Sequence, residues 1–192
     1  MKESPSHMST SKTLRIAAAA AITIAFAASA FAAESSKAGT EMQTALDKPA
    51  ALKKATWLKT VAAANFFEIE TSKVALEKSQ NEDIKTFAQE MIDDHTKAAE
   101  KLAVVLQQEG TELPPRALAP KQDDALALLK KADGKDFDAA YLGVQRGAHI
   151  EAVSIFSTYA AQPDDPALAA FARETLPTLE KHLEHVKMII EP

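Results

Sequence analysis

"GTELPPRALAPKQDDALALLKKADGK" runs from Gly110 to Lys135 and joins two pairs of long helical patterns. Its opening, "GTELPPRALAP", holds Pro114, Pro115 and Pro120 and reads as a linker. "KQDDALALLKKAD" after it reads as a short accessory helix. Consecutive antiparallel helices of an up-down bundle need only a few connecting residues. This connection has 26. A helix of that size is roughly 39 Å long at 1.5 Å per residue, so the connection is long enough to travel a bundle and start the next helix at its far end.

Four amphipathic patterns flank it. The first, about Leu52 to Ser79, places Leu58, Val61, Ala62, Phe66, Ile69 and Leu76 on one face. "SQNED" breaks it, with Asn81 or Ser79 as cap and Glu82 and Asp83 where a helix dipole favours them. The second runs to about Glu109, with Gly110 as its stop, and its stripe is Ile84, Ala88, Met91, His95, Ala98, Leu102 and Val105. The third, about Asp136 to Ala161, carries Tyr141, Val144, Ala148, Ala152, Ile155, Phe156 and Tyr159. In "QPDDP", Asp165 caps the fourth and Pro166 takes its first position. The fourth, about Ala167 to Ile190, buries Leu168, Ala172, Leu179, Leu183, Val186 and Ile190, and Pro177 should kink it. "IKTFAQEMI" from Ile84 and "LAAFARETL" from Leu168 echo each other at an offset of 84, each opening the second helix of a pair. Two pairs and one long crossover predict an all-α, ferritin-like four-helix bundle over residues 52–192.

Residues 1–32 read as a signal peptide. Lys2, Lys12 and Arg15 are a positive n-region, and Met8 serves as well as Met1 for a start. "IAAAAAITIAFAA" (Ile16 to Ala28) is too short for a membrane span, which needs about 20 residues. Ala30 and Ala32 suit cleavage before Ala33, and the polar stretch 33–51 reads as a flexible leader. Losing three basic residues (Lys2, Lys12, Arg15) and one acidic (Glu3) moves the formal net charge from -5 to -7. An acidic chain without a basic patch argues against a nucleic-acid partner. The absence of cysteine removes lipid anchoring, disulfides and thiolate chemistry. The expected compartment is the periplasm, with no membrane span after cleavage.

His95 is the one ionisable member of the second helix's stripe. His149 flanks the apolar face of the third helix, and His182 lies among Leu179, Leu183 and Val186 on the fourth. His95 is about fourteen residues from the first hairpin turn and His149 about as far from the second, so a crossover bundle brings both near mid-height, roughly 20 Å from either end. Asn65, Ser72 and, at the margin, Glu68 of the first helix reach the same level. Three imidazoles and a carboxylate from four helices make a nitrogen/oxygen set for one transition-metal ion (Zn, Cu or Fe). The structural alternative is a set of interior histidines hydrogen-bonded to Asp94, Glu151, Glu180 or backbone carbonyls. In His182-x-x-His185 one ring is expected to be solvated, and Met91 is core filler before it is a copper ligand.

"AAANFFEIETSKVALEKSQNEDIKTFAQEMIDDHTKA", "DFDAAYLGVQRGAHIEAVSIF" and "LAAFARETLPTLEKHLEHVK" together resemble the bacterial domain-of-unknown-function 4142 family over about Thr56 to Lys187. The specific parts are "DDHTKA", the "FD..Y" opening and "TLPTLEKHL". The resemblance implies an exported protein with a ferritin-like fold and no established activity. It carries over Glu68, His95, His149 and His182 as the recurrent polar positions. "GAH" before Ile150 departs from the acidic–histidine pair expected there, which counts against a ligand on the third helix. A di-iron oxidase would need Glu-x-x-His on two helices. Ile92, Arg146 and Leu179 occupy the three glutamate slots, so that chemistry is not expected. No catalytic residue is assigned: no nucleophile, phosphate loop or carboxylate pair has a readable setting. Three functions compete: a periplasmic metal-binding bundle for buffering or stress tolerance, a non-catalytic module that presents acidic faces to an envelope protein, and, ranked last because nothing selects a substrate, an enzyme using the histidines as acid or base. Oligomeric state is not readable.

Overall fold

The computed structural model describes residues 53–191, so the expected signal peptide and the whole of the expected leader lie outside the described residues. Five helices and no strand form among them: α1 (Lys54–Lys78), α2 (Glu82–Gln108), α3 (Pro120–Lys131), α4 (Gly134–Ala161) and α5 (Pro166–Ile190). The sequence encodes their ends. Asn81 Oδ1 accepts from the Asp83 N–H at the start of α2. Gly110, at φ 63°, ends α2: its N–H reaches the Gln107 carbonyl, and the Thr111 N–H reaches that of Leu106. That pair of bonds is a Schellman motif, which needs a left-handed residue where glycine stands. Asp165 Oδ1 accepts from the N–H groups of Ala167 and Leu168, capping α5.

Two lysines fix the topology. Lys54 Nζ, at the start of α1, bonds Glu109 at 2.8 Å and Asp165 at 2.6 Å, so the end of α2 and the α4–α5 turn share that end of the bundle. Lys78 Nζ, at the other end of α1, donates to the Ala132 carbonyl and to Asp133, each at 2.7 Å. Gly110 and Lys135 therefore sit at opposite ends, and the chain between them crosses the length of the bundle. α1 packs on α2 and α4, and α5 packs on α2 and α4, leaving α1/α5 and α2/α4 diagonal. This is the single-crossover arrangement of ferritin-like bundles. No described helix is long and apolar enough to cross a membrane.

The apolar core has two parts. Phe67, Ile84, Phe87, Met91, Phe137 and Tyr141 fill the end near the α1–α2 turn, where Leu126 and Leu129 seat α3. Trp57, Leu102, Leu106, Phe156, Tyr159 and Phe171 fill the other, with Trp57 stacked on Tyr159 at 4.3 Å. The echo is visible here, since Phe87 and Phe171 take matching helix positions in opposite cores. Between the two lies a buried polar layer of Glu68, Thr71, Ser72, His95, Gln145, His149 and His182.

Two helix faces differ from expectation. On α1, Phe66 and Ile69 are only half-buried, while Phe67, Glu68, Thr71 and Ser72 turn inward. On α4, Val144, Ala148, Ala152 and Ile155 are half-buried, and the inner face is Phe137, Tyr141, Gln145, His149, Phe156 and Tyr159. The reason is the crossover. Val144, Ala148, Ala152 and Ile155 border a surface hollow with Lys121, Gln122 and Ala125 of α3, so α4 carries a second apolar stripe for that helix. α5 runs through Pro177, which has no N–H to offer the Arg173 carbonyl.

Asp165 joins the cap of α5 to the lysine that pins α1, and it is buried. Asp165→Ala should cost about 1–2 kcal/mol, the upper part of the range for a lost cap, measured by urea unfolding.

Candidate metal centre

The polar layer is built by helix register. His95 on α2, His149 on α4 and His182 on α5 meet at mid-height, with ring centroids 5.8, 5.6 and 5.3 Å apart in a nearly equilateral triangle. One nitrogen from each lies within 4.8 Å of the others. All three rings are buried.

Each ring is held by its outward nitrogen. His95 Nδ1 is 3.0 Å from Asn65 Oδ1, and the Asn65 Nδ2 donates to the His95 carbonyl at 2.9 Å, which orients that amide. His149 Nδ1 donates to the Gln145 carbonyl at 2.9 Å. His182 Nε2 donates to Asp94 Oδ2 at 3.2 Å. A carbonyl or carboxylate oxygen only accepts, so these partners fix the tautomers. The inward nitrogens, His95 Nε2, His149 Nε2 and His182 Nδ1, are then all lone-pair acceptors. His149 Nε2 and His182 Nδ1 face each other at 3.3 Å, and His95 Nε2 is buried without a partner. Nothing in the layer donates to any of the three.

Burial keeps the rings neutral. It pushes His95 well below the usual imidazole pKa, helped by repulsion from His149 and His182. It takes His149 down to about 4 against the Gln145 carbonyl, and it lowers His182 against the pull of Asp94. Burial also works against the Asp94 carboxylate, but hydrogen bonds from Lys97 and His182 outweigh it and keep that group below the ordinary range. Asp94 therefore stays anionic and holds His182 in place.

Glu68 is in the layer rather than at its margin. It is 3% exposed, with Oε1 3.9 Å from His149 Nδ1 and Oε2 buried without a partner. It thus lies on the hydrogen-bearing side of that ring, beside the three convergent nitrogens and not among them. Burial raises its pKa to about 8, with the Gln145 amide pulling the other way. The helix-turn expectation of a marginal position failed because α1 turns its Glu68–Ser72 side inward.

Of the acids expected to brace the rings, Asp94 does so, while Glu151 and Glu180 are exposed. The carbonyl of Gln145 serves His149 instead, and Gln145 Nε2 donates to Thr71 Oγ1 at 3.0 Å. Gln145 went unread because a glutamine one turn before a histidine looks like ordinary helix surface. His185 is half-buried with Nδ1 2.7 Å from Glu90 Oε2. Glu90, Asp94 and His182 form a second oxygen/nitrogen group nearer the surface, but Lys181 at 2.6 Å and Lys97 at 3.0 Å already neutralise its carboxylates. Met91 is fully buried in the apolar core.

Residues 38–189 match the family described as a domain of unknown function, DUF4142. The chain belongs to the DUF4142 family. The match begins inside the stretch read as leader and covers the described bundle of this DUF4142 protein as far as Ile189, one residue short of the end of α5. No curated protein and no solved structure matches it.

Proposed function

We propose that this protein is an exported bundle that binds one divalent transition-metal ion through His95, His149 and His182. The observation that carries this reading is the 3.3 Å approach of His149 Nε2 to His182 Nδ1, two acceptors face to face, beside the partnerless His95 Nε2. Two lone pairs at that distance repel unless a cation joins them. In a tetrahedral site with metal–nitrogen bonds of about 2.0–2.1 Å, neighbouring nitrogens are about 3.3–3.4 Å apart. The outward bonds to Asn65, Gln145 and Asp94 are the outer contacts that orient metal-ligating histidines. An all-imidazole set without thiolate suits Zn²⁺, Cu²⁺ or Fe²⁺.

Bonds between helices favour a second reading, a structural layer that fixes register: Asn65 ties α1 to α2, and Asp94 ties α2 to α5. That reading explains those bonds, but it leaves the inward nitrogens and Glu68 Oε2 without a protein partner, at a cost of about 1–3 kcal/mol for each that stays unsatisfied.

The test is elemental analysis of untagged protein isolated from the periplasm. We expect about one equivalent of a single transition metal, falling to background in His149→Ala. Intact mass of the same sample should give a chain beginning at Ala33. Metal below a tenth of an equivalent, with no uptake on reconstitution, would overturn the proposal.

A further inference from the structure

A cavity of about 330 Å³ opens from the histidine layer toward the crossover. Small side chains border it on two helices, Ala62 and Ala64 on α1 and Ala98, Ala99 and Ala103 on α2. Ile69, Leu102, Phe156 and Leu179 complete apolar walls, and Leu113 and Pro114 of the crossover border it on the outside. His95 lines the inner end, and its Nε2 is buried with no protein partner. The cavity thus pairs largely apolar walls with acceptors at its inner end, His95 Nε2 and the carboxyl groups of Glu68 and Asp94, while the half-buried Glu70 and the exposed Lys73, Glu100 and Arg116 also border it.

We propose that this cavity is a binding site for a small, neutral, apolar molecule carrying a single hydroxyl, of the alkylphenol class, whose O–H donates to His95 Nε2. Size favours it, because an apolar cavity of about 150 Å³ already takes benzene, and this one has room for a ring and a short alkyl chain. Charge favours it too. An organic ion of either sign would give up water against the largely apolar walls, and an anion would also meet the Asp94 carboxylate at the inner end. The His95 ring cannot offer a proton in return, since its only hydrogen goes to Asn65. A neutral donor is what remains.

The inference shares the His95 Nε2 lone pair with the metal reading, so metal and phenol compete for it, and it is tested on chelator-treated protein, where the two fail separately. Calorimetric titration with 4-propylphenol should show saturable binding at neutral pH, at least tenfold tighter than propylbenzene or 4-propylbenzoate. Ala98→Leu, which fills the cavity with apolar carbon, should weaken the phenol at least tenfold and leave metal stoichiometry unchanged. Ala62→Leu is the second cavity-filling variant should the first fail to fold. In the wild-type protein, proton cross-relaxation should place the propylphenol ring against Leu102 and Ala98. Propylbenzene binding as tightly as the phenol, undiminished phenol binding in the filled variants, cross-relaxation to other residues or no binding would each overturn the proposal.

Discussion

Adding Zn²⁺ to the metal-free protein at neutral pH should raise its melting temperature, and His95→Ala, His149→Ala and His182→Ala should each abolish the rise. An ion that binds only the native state adds about 2.7 kcal/mol at a hundredfold excess over Kd. For a domain of this size that is roughly 8–11 °C. The variants should stay folded. In His95→Ala, for example, Asn65 keeps its bond to the backbone carbonyl of residue 95. The pH limit follows from the lowered pKa values. A free imidazole protonates near 6.5, yet burial holds His149 neutral down to about 4. Binding should therefore persist at pH 5 and fail only toward pH 4. The metal-free protein itself should weaken across that window. Its unfolded chain takes up protons from about pH 6.5 downward while the folded rings resist, so stability falls as pH falls. Equal melting shifts in wild type and all three variants would place the metal at surface carboxylates instead.

Glu68→Gln should stabilise the metal-free protein increasingly as pH rises. The folded pKa of Glu68 is about 8, against 4.5 for the free group. Between those values the folded state binds a proton that the unfolded state has lost, so stability drains away as pH rises through the interval. Glutamine has no proton to lose and escapes this. The gap between variant and wild type should be small near pH 4.5 and reach roughly 4 kcal/mol by pH 8, from about 1.4 kcal/mol per unit. Zn²⁺ should narrow the gap at pH 7, because a cation among the imidazoles favours the Glu68 carboxylate. Urea unfolding of both proteins across pH 5–8 measures this directly, and parallel curves would mean that Glu68 reaches water.

Much of this was legible in the chain. The length of the Gly110–Lys135 connection set the topology, and Gly110, Asn81, Asp165 and Pro166 marked helix ends through local chemistry that needs no tertiary context. The mid-height meeting of His95, His149 and His182 followed from counting residues to the turns. What periodicity could not give was the facing of α1 and α4. Each carries apolar residues on two sides, one for the bundle and one for the crossover, and the richer stripe on α4 serves the crossover. The inward facing of Glu68 and His149, both read at the margin of a face, was hidden by that same ambiguity, and Gln145 passed as ordinary helix surface. Trp57, at the very start of α1, packs against Phe156, Tyr159 and Phe171 from the far end of the sequence, contacts that no local pattern encodes.

One metal ion shared by three buried imidazoles would leave a direct spectroscopic signature. X-ray absorption at the zinc edge of protein loaded with one equivalent tests that sharing most directly. The expected spectrum is a nitrogen shell at about 2.0–2.1 Å with the multiple scattering of three imidazole rings, reduced to two in His182→Ala reconstituted at high zinc. An all-oxygen shell without imidazole scattering, or a spectrum unchanged by His182→Ala, would contradict it.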